Sequence, residues 1–494
     1  MFSWFCCAGP DRCLPASCLF GDNDMSESVL DPQGGKNSSF HIESETIFPI
    51  PENVRRGNAR SLATVWLGAN QTVLTFMTGM IYTQLCNLSI GWAILAIVLG
   101  NVLGGVFMAL HAAQGPHLGI PQMQQTRGQF GVYGSLLVIL IVIFMYIGFA
   151  STLFAIGRDQ SGTFFGPLSS HPAIYASAFM VWVLCTVGHA LLERFIAAFS
   201  YIAGIVFVVM GAVYLFSPFG ALKLPFFATP SVHDFLMAIS VGVLWQVAYA
   251  PYVSDYSRYL PVHTGEKEAF YGCLSGSTIG AALPMIVGAY VAGTVSGDNY
   301  YESLRQVSGI LPAVIYIVFF ASTIVCASMQ IYCATLSSLT LLHTFVPSWK
   351  PSKKARTVVA AVLVCASALL TMSLSGDALD NISNFLLLLL AVLSPWTAIN
   401  LVDYYLIEHG RYDIPSLYRN DGGVYGLVNG LAVSCYVIGI LVQVPFLSNS
   451  LYTGVIANQL GGIDISWILG IVVPGVLYWV LASRKKQKAL RAGA

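Results

Sequence analysis

Charge is scarce in this chain: only 9% of its 494 residues are Asp, Glu, Lys or Arg, where a soluble globular protein carries about 25%. That deficit excludes a water-solvated shell around a conventional core, and a hydrophobic content of 56% with a mean hydropathy of +0.71 points the same way. The 23 basic and 23 acidic residues cancel, and the basic ones are scattered, so no polyanionic partner is implied and nucleic acid is not an expected ligand. No Gly-rich phosphate loop occurs, and the nine histidines and eleven cysteines show no zinc-type spacing. Ionisable groups are also missing from the middle of the apolar runs. Asp159, Glu193, Asp234, Asp255, Asp380 and Asp403 fall near predicted ends, where water or headgroups reach them, and His189 lies toward one end of its run. An ionisable side chain is costly inside a membrane and marks function where it occurs. Its absence argues against a charged solute and for a neutral planar one, which stacking and amide hydrogen bonds can hold.

Long apolar segments are what the chain has in abundance. A membrane-crossing helix needs about 20 apolar residues. Segments at 62–85, 90–112, 132–157, 173–192, 195–216, 234–255, 268–296, 310–345, 355–375, 381–405, 423–445 and 464–482 predict an all-α integral membrane protein with twelve transmembrane helices. Of the 23 Lys and Arg, all but Arg158, Lys223 and Arg305 fall on the side that holds the N-terminus. Positive charge gathers on the cytoplasmic side, so both termini are expected there, in a plasma membrane or bacterial cytoplasmic membrane. Residues 1–55 read as a disordered tail and 483–494 as a basic one. Cys6, Cys7, Cys13 and Cys18 crowd a start that lacks a cationic stretch followed by an apolar core, so it is a poor signal peptide. Lipidation of Cys6 and Cys7 stays open, and synthesis from Met25 is the preferred reading.

Five stretches, in order, carry a resemblance. They are Ile50-Pro51-Glu52-Asn53-Val54-Arg55-Arg56-Gly57 leading to Trp66-Leu67-Gly68-Ala69-Asn70; Gly119-Ile120-Pro121-Gln122-Met123 followed by Arg127, Phe130 and Gly131; Tyr252-Val253-Ser254-Asp255-Tyr256-Ser257-Arg258-Tyr259-Leu260-Pro261; Pro395-Trp396-Thr397-Ala398-Ile399-Asn400-Leu401-Val402-Asp403-Tyr404-Tyr405; and Gly426-Leu427-Val428-Asn429. Together they run almost the whole length after residue 50, and the chain resembles the nucleobase:cation symporters of the purine and cytosine permease type.

The resemblance implies a LeuT-type fold: a five-plus-five inverted repeat, with helices 1–5 in 56–216 and helices 6–10 in 234–405, and two extra C-terminal helices in 423–482. Transporters of this kind hold substrate near the bilayer midplane between broken helices. Gly68-Ala69-Asn70-Gln71-Thr72 in the first helix and Pro251 in the sixth are candidate breaks in corresponding places. Broken backbone needs contact with protein, water or ligand.

Candidate substrate contacts are Asn70 and Gln71 from helix one, Phe149 from helix three, Trp245, Gln246 and Tyr249 from helix six, and Gln330 from helix eight. Phe149 stands where many relatives have Trp, Leu153 where an amide is often seen, Gln330 near a relative's Asn, and Cys326 replaces a more polar residue, so the ring that fits is open. The resemblance places the cation between helices one and eight, where Ala69, Thr72, Ser322 and Thr323 are candidates. Sodium is preferred over a proton because no membrane-embedded carboxylate or histidine is evident as a relay. Asp255 and Arg258, one turn apart, are expected to form a structural tether or part of an inner gate. Gly100 and Gly104 suggest a close helix contact.

The expected function is import of a neutral nucleobase, cytosine or a purine, by cation symport through alternating access. Allantoin, hydantoin, uracil or a thiamine-like ring remain as alternative substrates. No catalytic constellation, cofactor or channel filter is expected; a non-transporting sensor or an intramembrane enzyme is the alternative of a different class.

Overall fold

The computed structural model of the chain describes residues 47–187, 189–216, 222, 225–294, 310–373, 378–448 and 452–492. Expectations about the tail up to residue 46, including Cys6, Cys7 and Met25, about Lys223 and Arg305, and about the side chains of His189 and Asp380, lie outside the described residues. Within them the architecture is α-helical, with one isolated β-bridge between Ser448 and Thr453.

The helices are α1 (Ala59–Asn70), α2 (Val73–Gln84), α3 (Ile90–Leu118), α4 (Gln122–Phe130), α5 (Ser135–Phe165), α6 (Ser170–Val187), α7 (His189–Phe216), α8 (Val232–Val247), α9 (Val253–Ser257), α10 (Gly265–Thr294), α11 (Leu311–Phe345), α12 (Lys353–Ser373), α13 (Ala378–Val402), α14 (Gly430–Gln443), α15 (Val455–Gln459) and α16 (Ser466–Ala492). Each apolar segment read from the sequence contains α-helix, but not every one over its full length: 71–72, 248–249, 426–429 and 464–465 are irregular, and the segment expected at 423–445 becomes α-helical only from Gly430, as α14. Ten described helices are long and apolar enough to cross a membrane. The first segment is divided into α1 and α2, each of 12 residues, and Gly430–Phe446 is shorter than the ten.

Both candidate breaks are present, and each has a local cause. Between α1 and α2, Gln71 (ψ 64°) and Thr72 (ψ 158°) leave the helical region, and the Thr72 hydroxyl caps the new helix by accepting from the Thr75 amide at 3.2 Å. In an unbroken helix the Val73 amide would bond the Ala69 carbonyl; here it donates to the Ser322 hydroxyl of α11 at 3.1 Å. The second break follows α8. Pro251 has no N–H for the Val247 carbonyl, and Ala250–Tyr252 form a 3-10 turn before α9 begins. The Pro251 carbonyl accepts from the Tyr146 hydroxyl of α5 at 3.3 Å.

Glycines let the crossing helices approach backbone to backbone. On α10, a Cβ at Gly276 would stand 2.2 Å from the Ala63 carbonyl oxygen of α1, and one at Gly288 would stand 2.0 Å from that of Phe76 in α2. α10 therefore splints both halves of the broken helix. Gly100 and Gly104 do the same for α3 against α8, at 2.5 Å from Ile239 O and 2.4 Å from Val243 O.

The end of the bundle that holds α4 and α9 differs from the expectation. The resemblance makes the stretch around Gly119–Gly131 the link between helices two and three, and within it α4 is a helix whose Gln122, Gln124, Gln125, Thr126, Arg127 and Gln129 are all buried. Asp255, Arg258 and Asp403 are not water-reached ends: they are 1%, 0% and 4% exposed. Tertiary cover explains this, because α4 and the loop after α13 close over helix ends that hydropathy alone would leave in water. Asp255 Oδ1 accepts from the Gln122 amide at 2.8 Å, so α9 caps the N-terminus of α4. Arg258 donates to the Tyr259 hydroxyl at 3.0 Å and to the Asp255 carbonyl at 3.4 Å.

Candidate functional site

The two breaks bring an aromatic cluster together deep in the bundle. Trp245, near the end of α8, donates its indole N–H to Asn70 Oδ1, the last residue of α1, at 2.7 Å. Asn70 Nδ2 donates back to the Trp66 carbonyl at 2.8 Å, so both ends of the amide are fixed. Tyr249 lies edge-on to Trp245 and to Trp66, with centroids 5.9 Å and 5.5 Å apart. Tyr252 packs on Tyr249 at 5.4 Å and on Tyr146 at 5.3 Å, while Tyr256 meets Trp66 at 5.6 Å. Gln330 of α11 donates to the Tyr252 hydroxyl at 3.0 Å. No charged side chain takes part in these contacts.

The indole N–H of Trp66 and Oε1 of Gln330, both in this cluster, are buried without a hydrogen-bond partner. One is a donor and the other an acceptor. Leaving either unsatisfied costs about 1–3 kcal/mol, and the edge of a heterocycle carries both complementary types.

The other expected contacts separate. Gln71 turns away to the Gly280 carbonyl of α10 at 3.0 Å. Gln246 follows Trp245 on the helix but faces the opposite neighbours, donating to Asn101 Oδ1 of α3 at 2.8 Å and to the Ser277 carbonyl at 3.3 Å. Phe149 packs edge-on to Phe385 of α13 at 5.2 Å. Trp66, Tyr252 and Tyr256 stand in the sequence only as family signature, and Tyr146 carries no signal there; the aromatic spacing Tyr249, Tyr252, Tyr256 marks the shared face that continues through the break.

Of the cation candidates, Ala69, Thr72 and Ser322 lie at the first break, while Thr323 Oγ1 lies beside Gly157 of α5. Ser322 accepts from the Val73 amide and donates to the Phe319 carbonyl at 2.6 Å, which leaves one lone pair of its oxygen unused by these bonds. Thr323 donates to Phe320 O at 2.7 Å, and Thr72 to or from Thr75 at 2.9 Å. Ala69 is fully buried, with its carbonyl released from the Val73 amide. Neutral oxygens of this kind suit a hard monovalent cation.

A second polar region surrounds α4. Arg127 of α4 donates to Leu417 O at 3.0 Å, Thr340 O at 2.8 Å and Thr344 Oγ1 at 2.6 Å. Burial lowers its pKa to about 10, so it stays protonated at neutral pH. His111, an ionisable group the sequence reading overlooks inside a span, stacks on Trp396 at 4.8 Å and is fully buried.

A family model described as permease for cytosine/purines, uracil, thiamine, allantoin matches residues 49–470. The chain belongs to that family. It is a permease and not an enzyme, spanning the membrane several times. A Bacillus subtilis (strain 168) protein named as a purine-cytosine permease, YxlA, is 35% identical over 92% of this chain and 98% of its own. The allantoin permease of the same organism is 24% identical over 90% and 94%. Among solved structures, Mhp1, a nucleobase-cation-symport-1 family transporter in a closed conformation with bromovinylhydantoin bound, gives a TM-score of 0.70 at 19% identity, over 92% of this permease and 97% of that chain. Its inward-facing conformation gives 0.67 at 18%, over 91% and 96%. The permease shares the Mhp1 fold.

Proposed function

We propose that this permease imports a neutral nucleobase, cytosine or a purine, together with a cation, by alternating access. The observation that carries the reading is the pair of orphaned polar atoms, Trp66 Nε1 and Gln330 Oε1, within an uncharged aromatic cluster at the meeting of two helix breaks. A planar base stacks there and satisfies both atoms with its edge. Trp245 and Tyr249 supply the stacking walls, and Asn70 acts through Trp245 by holding its indole. Gln71, Gln246 and Phe149 remain candidates only for another stage of the cycle, since their present partners lie elsewhere. The family description, the purine-cytosine name of the Bacillus subtilis relative and the fold shared with Mhp1 favour a nucleobase-like ring. The allantoin permease relative keeps a hydantoin-type ring as the second choice.

The proposed architecture is twelve crossings: the ten long helices, the divided α1–α2 and the short α14, arranged as five-plus-five inverted repeats with two extra helices. Both termini lie in the cytoplasm of a plasma membrane. Sodium is the proposed coupling ion, held by the Ala69 carbonyl, Thr72, Ser322 and Thr323. Asp255 and Arg258 act as a structural tether for α4.

Competition tests the substrate class. Purines, pyrimidines, hydantoins and allantoin are offered against labelled cytosine during uptake; strong competition by nucleobases supports the reading, and competition by allantoin alone moves the site to the second choice.

A further inference from the structure

A carboxylate at the inner end of α13 has no part in the central cluster. Asp403 opens a π-turn, Asp403–Ile407, directly after α13 and is 4% exposed. Both of its oxygens accept from phenols, Oδ2 from the Tyr412 hydroxyl and Oδ1 from the Tyr478 hydroxyl at 2.7 Å. Tyr412 in turn accepts from Gln129 Nε2 at 2.8 Å, Gln129 Oε1 from Asn400 Nδ2 at 3.2 Å, and Asn400 Oδ1 from Gln114 Nε2 at 2.9 Å. Every donor in this row points toward Asp403. A negative charge at the end of such a row polarises each bond in turn and strengthens it. One carboxylate therefore fastens α3, α4, α13, the loop after α13 and α16.

A cavity of about 400 Å³ reaches Asp403 past Gly128, Asn429, Tyr425 and the end of α16. That volume holds several waters at about 30 Å³ each, which gives a proton a path to the carboxylate. Other titratable groups facing it are Glu408 from its own turn, Tyr412 and Tyr425 from the loop, Tyr478, Lys485 and Lys486 from α16, and Cys435 of α14 beside Tyr478. Lys486 is already engaged by Glu408 at 3.1 Å and by the Ile407 carbonyl at 2.6 Å. Burial, and then the Asp403 charge, hold the Tyr412 phenol well above its ordinary value, so it remains a donor at physiological pH.

We propose that Asp403 is a proton-binding site entered from the inner face, and that its ionised form latches the inner end of the permease. The proton comes from water in the cavity and returns to it, with no other bond made or broken. Once one carboxyl oxygen carries hydrogen, it presents a donor where a phenol already donates. The phenol on that oxygen, Tyr412 or Tyr478, must then reverse its hydroxyl or turn away, and the charge-assisted bond by which α4 and the loop hold α13 is weakened.

The link to transport rests on the proposed function, but the latch itself can be read without substrate. Backbone hydrogen exchange is measured on the full-length protein at about pH 8 and about pH 5, a range that lets a buried carboxyl titrate, after correction for the chemical exchange rate. The expected result is that peptides covering 403–429 and 122–130 exchange about tenfold or more faster in acid, the effect of losing one hydrogen bond to a charged group, while α10 peptides do not change. Asp403→Asn, which mimics the protonated group, exchanges fast at both values. If that variant does not fold, Tyr412→Phe serves, with raised exchange and a flattened pH response. An equal pH response in wild type and variant, or none in wild type, overturns the latch. Uptake of labelled cytosine is followed separately, so its absence counts against the transport reading and leaves the exchange result intact.

Discussion

Asn70 is the residue on which the central cluster turns, because it links the end of α1 to the indole of Trp245 across the two breaks. Replacing it with alanine strands a buried indole N–H. The expected cost is about 1–3 kcal/mol, seen as lowered thermal stability in detergent and, if Asn70 works by orienting Trp245, as a 10- to 100-fold weaker substrate affinity. Trp245→Ala removes the stacking wall itself, so binding should be lost by at least the same factor. Wild-type affinity in both variants would falsify the site. At the first break, Ser322→Ala combined with Thr323→Val removes two oxygens while leaving the shape nearly unchanged. Sodium stimulation of uptake should vanish in the double variant; unchanged stimulation rejects the cation assignment. These residues were largely legible in the sequence, since Asn70, Trp245 and Tyr249 are polar or aromatic groups next to a flexible or Pro-containing stretch. Gln71 and Gln246 were legible only as polar groups. Which way each amide faces is decided by helix rotation and by its neighbours Gly280 and Asn101, and a hydropathy pattern does not record that.

Among the elements, the divided first helix and the glycine face of α10 are one device. A helix interrupted at Gln71 and Thr72 has lost ladder hydrogen bonds, and close backbone contact with α10 along Gly272, Gly276, Gly280 and Gly288 holds the halves in line. A side chain at Gly276 has no room beside Ala63, so Gly276→Leu should misfold or lose several kcal/mol, checked by expression yield and size-exclusion profile. Pro251→Ala is the contrasting case. It restores an N–H for the Val247 carbonyl and should stiffen the second break, so the expected result is a folded protein with slowed transport; unchanged uptake would show that the break does not depend on proline. Helix positions followed from hydropathy because lipid selects for length and apolarity. The π-turn at Asp403 and the buried helix α4 did not. QMQQTRGQF is polar on all sides, and only the packing of α9, α13 and the following loop around it turns those residues inward. For the same reason Asp255 and Asp403 looked like wet helix ends.

At the scale of the whole molecule, the proposed alternating access has two bundles moving around a fixed site, and the two helix breaks, the fold shared with Mhp1 and the charge-poor centre are what favour that proposal. On the proposed orientation, the basic residues at the end of α16, Arg484, Lys485, Lys486 and Lys488, and the cavity below Asp403 both belong to the cytoplasmic side. A reporter fused after residue 494 should be protected in intact cells and reached only after permeabilisation; labelling in intact cells would reverse the orientation. The most direct test of the central claim is uptake of labelled cytosine and hypoxanthine into proteoliposomes, with and without an inward sodium gradient and with a proton gradient as control. The account predicts that one of these bases accumulates above its outside concentration when the sodium gradient is present, and that Trp245→Ala abolishes this. Saturable binding without accumulation under any gradient, or accumulation that Trp245→Ala leaves intact, contradicts it.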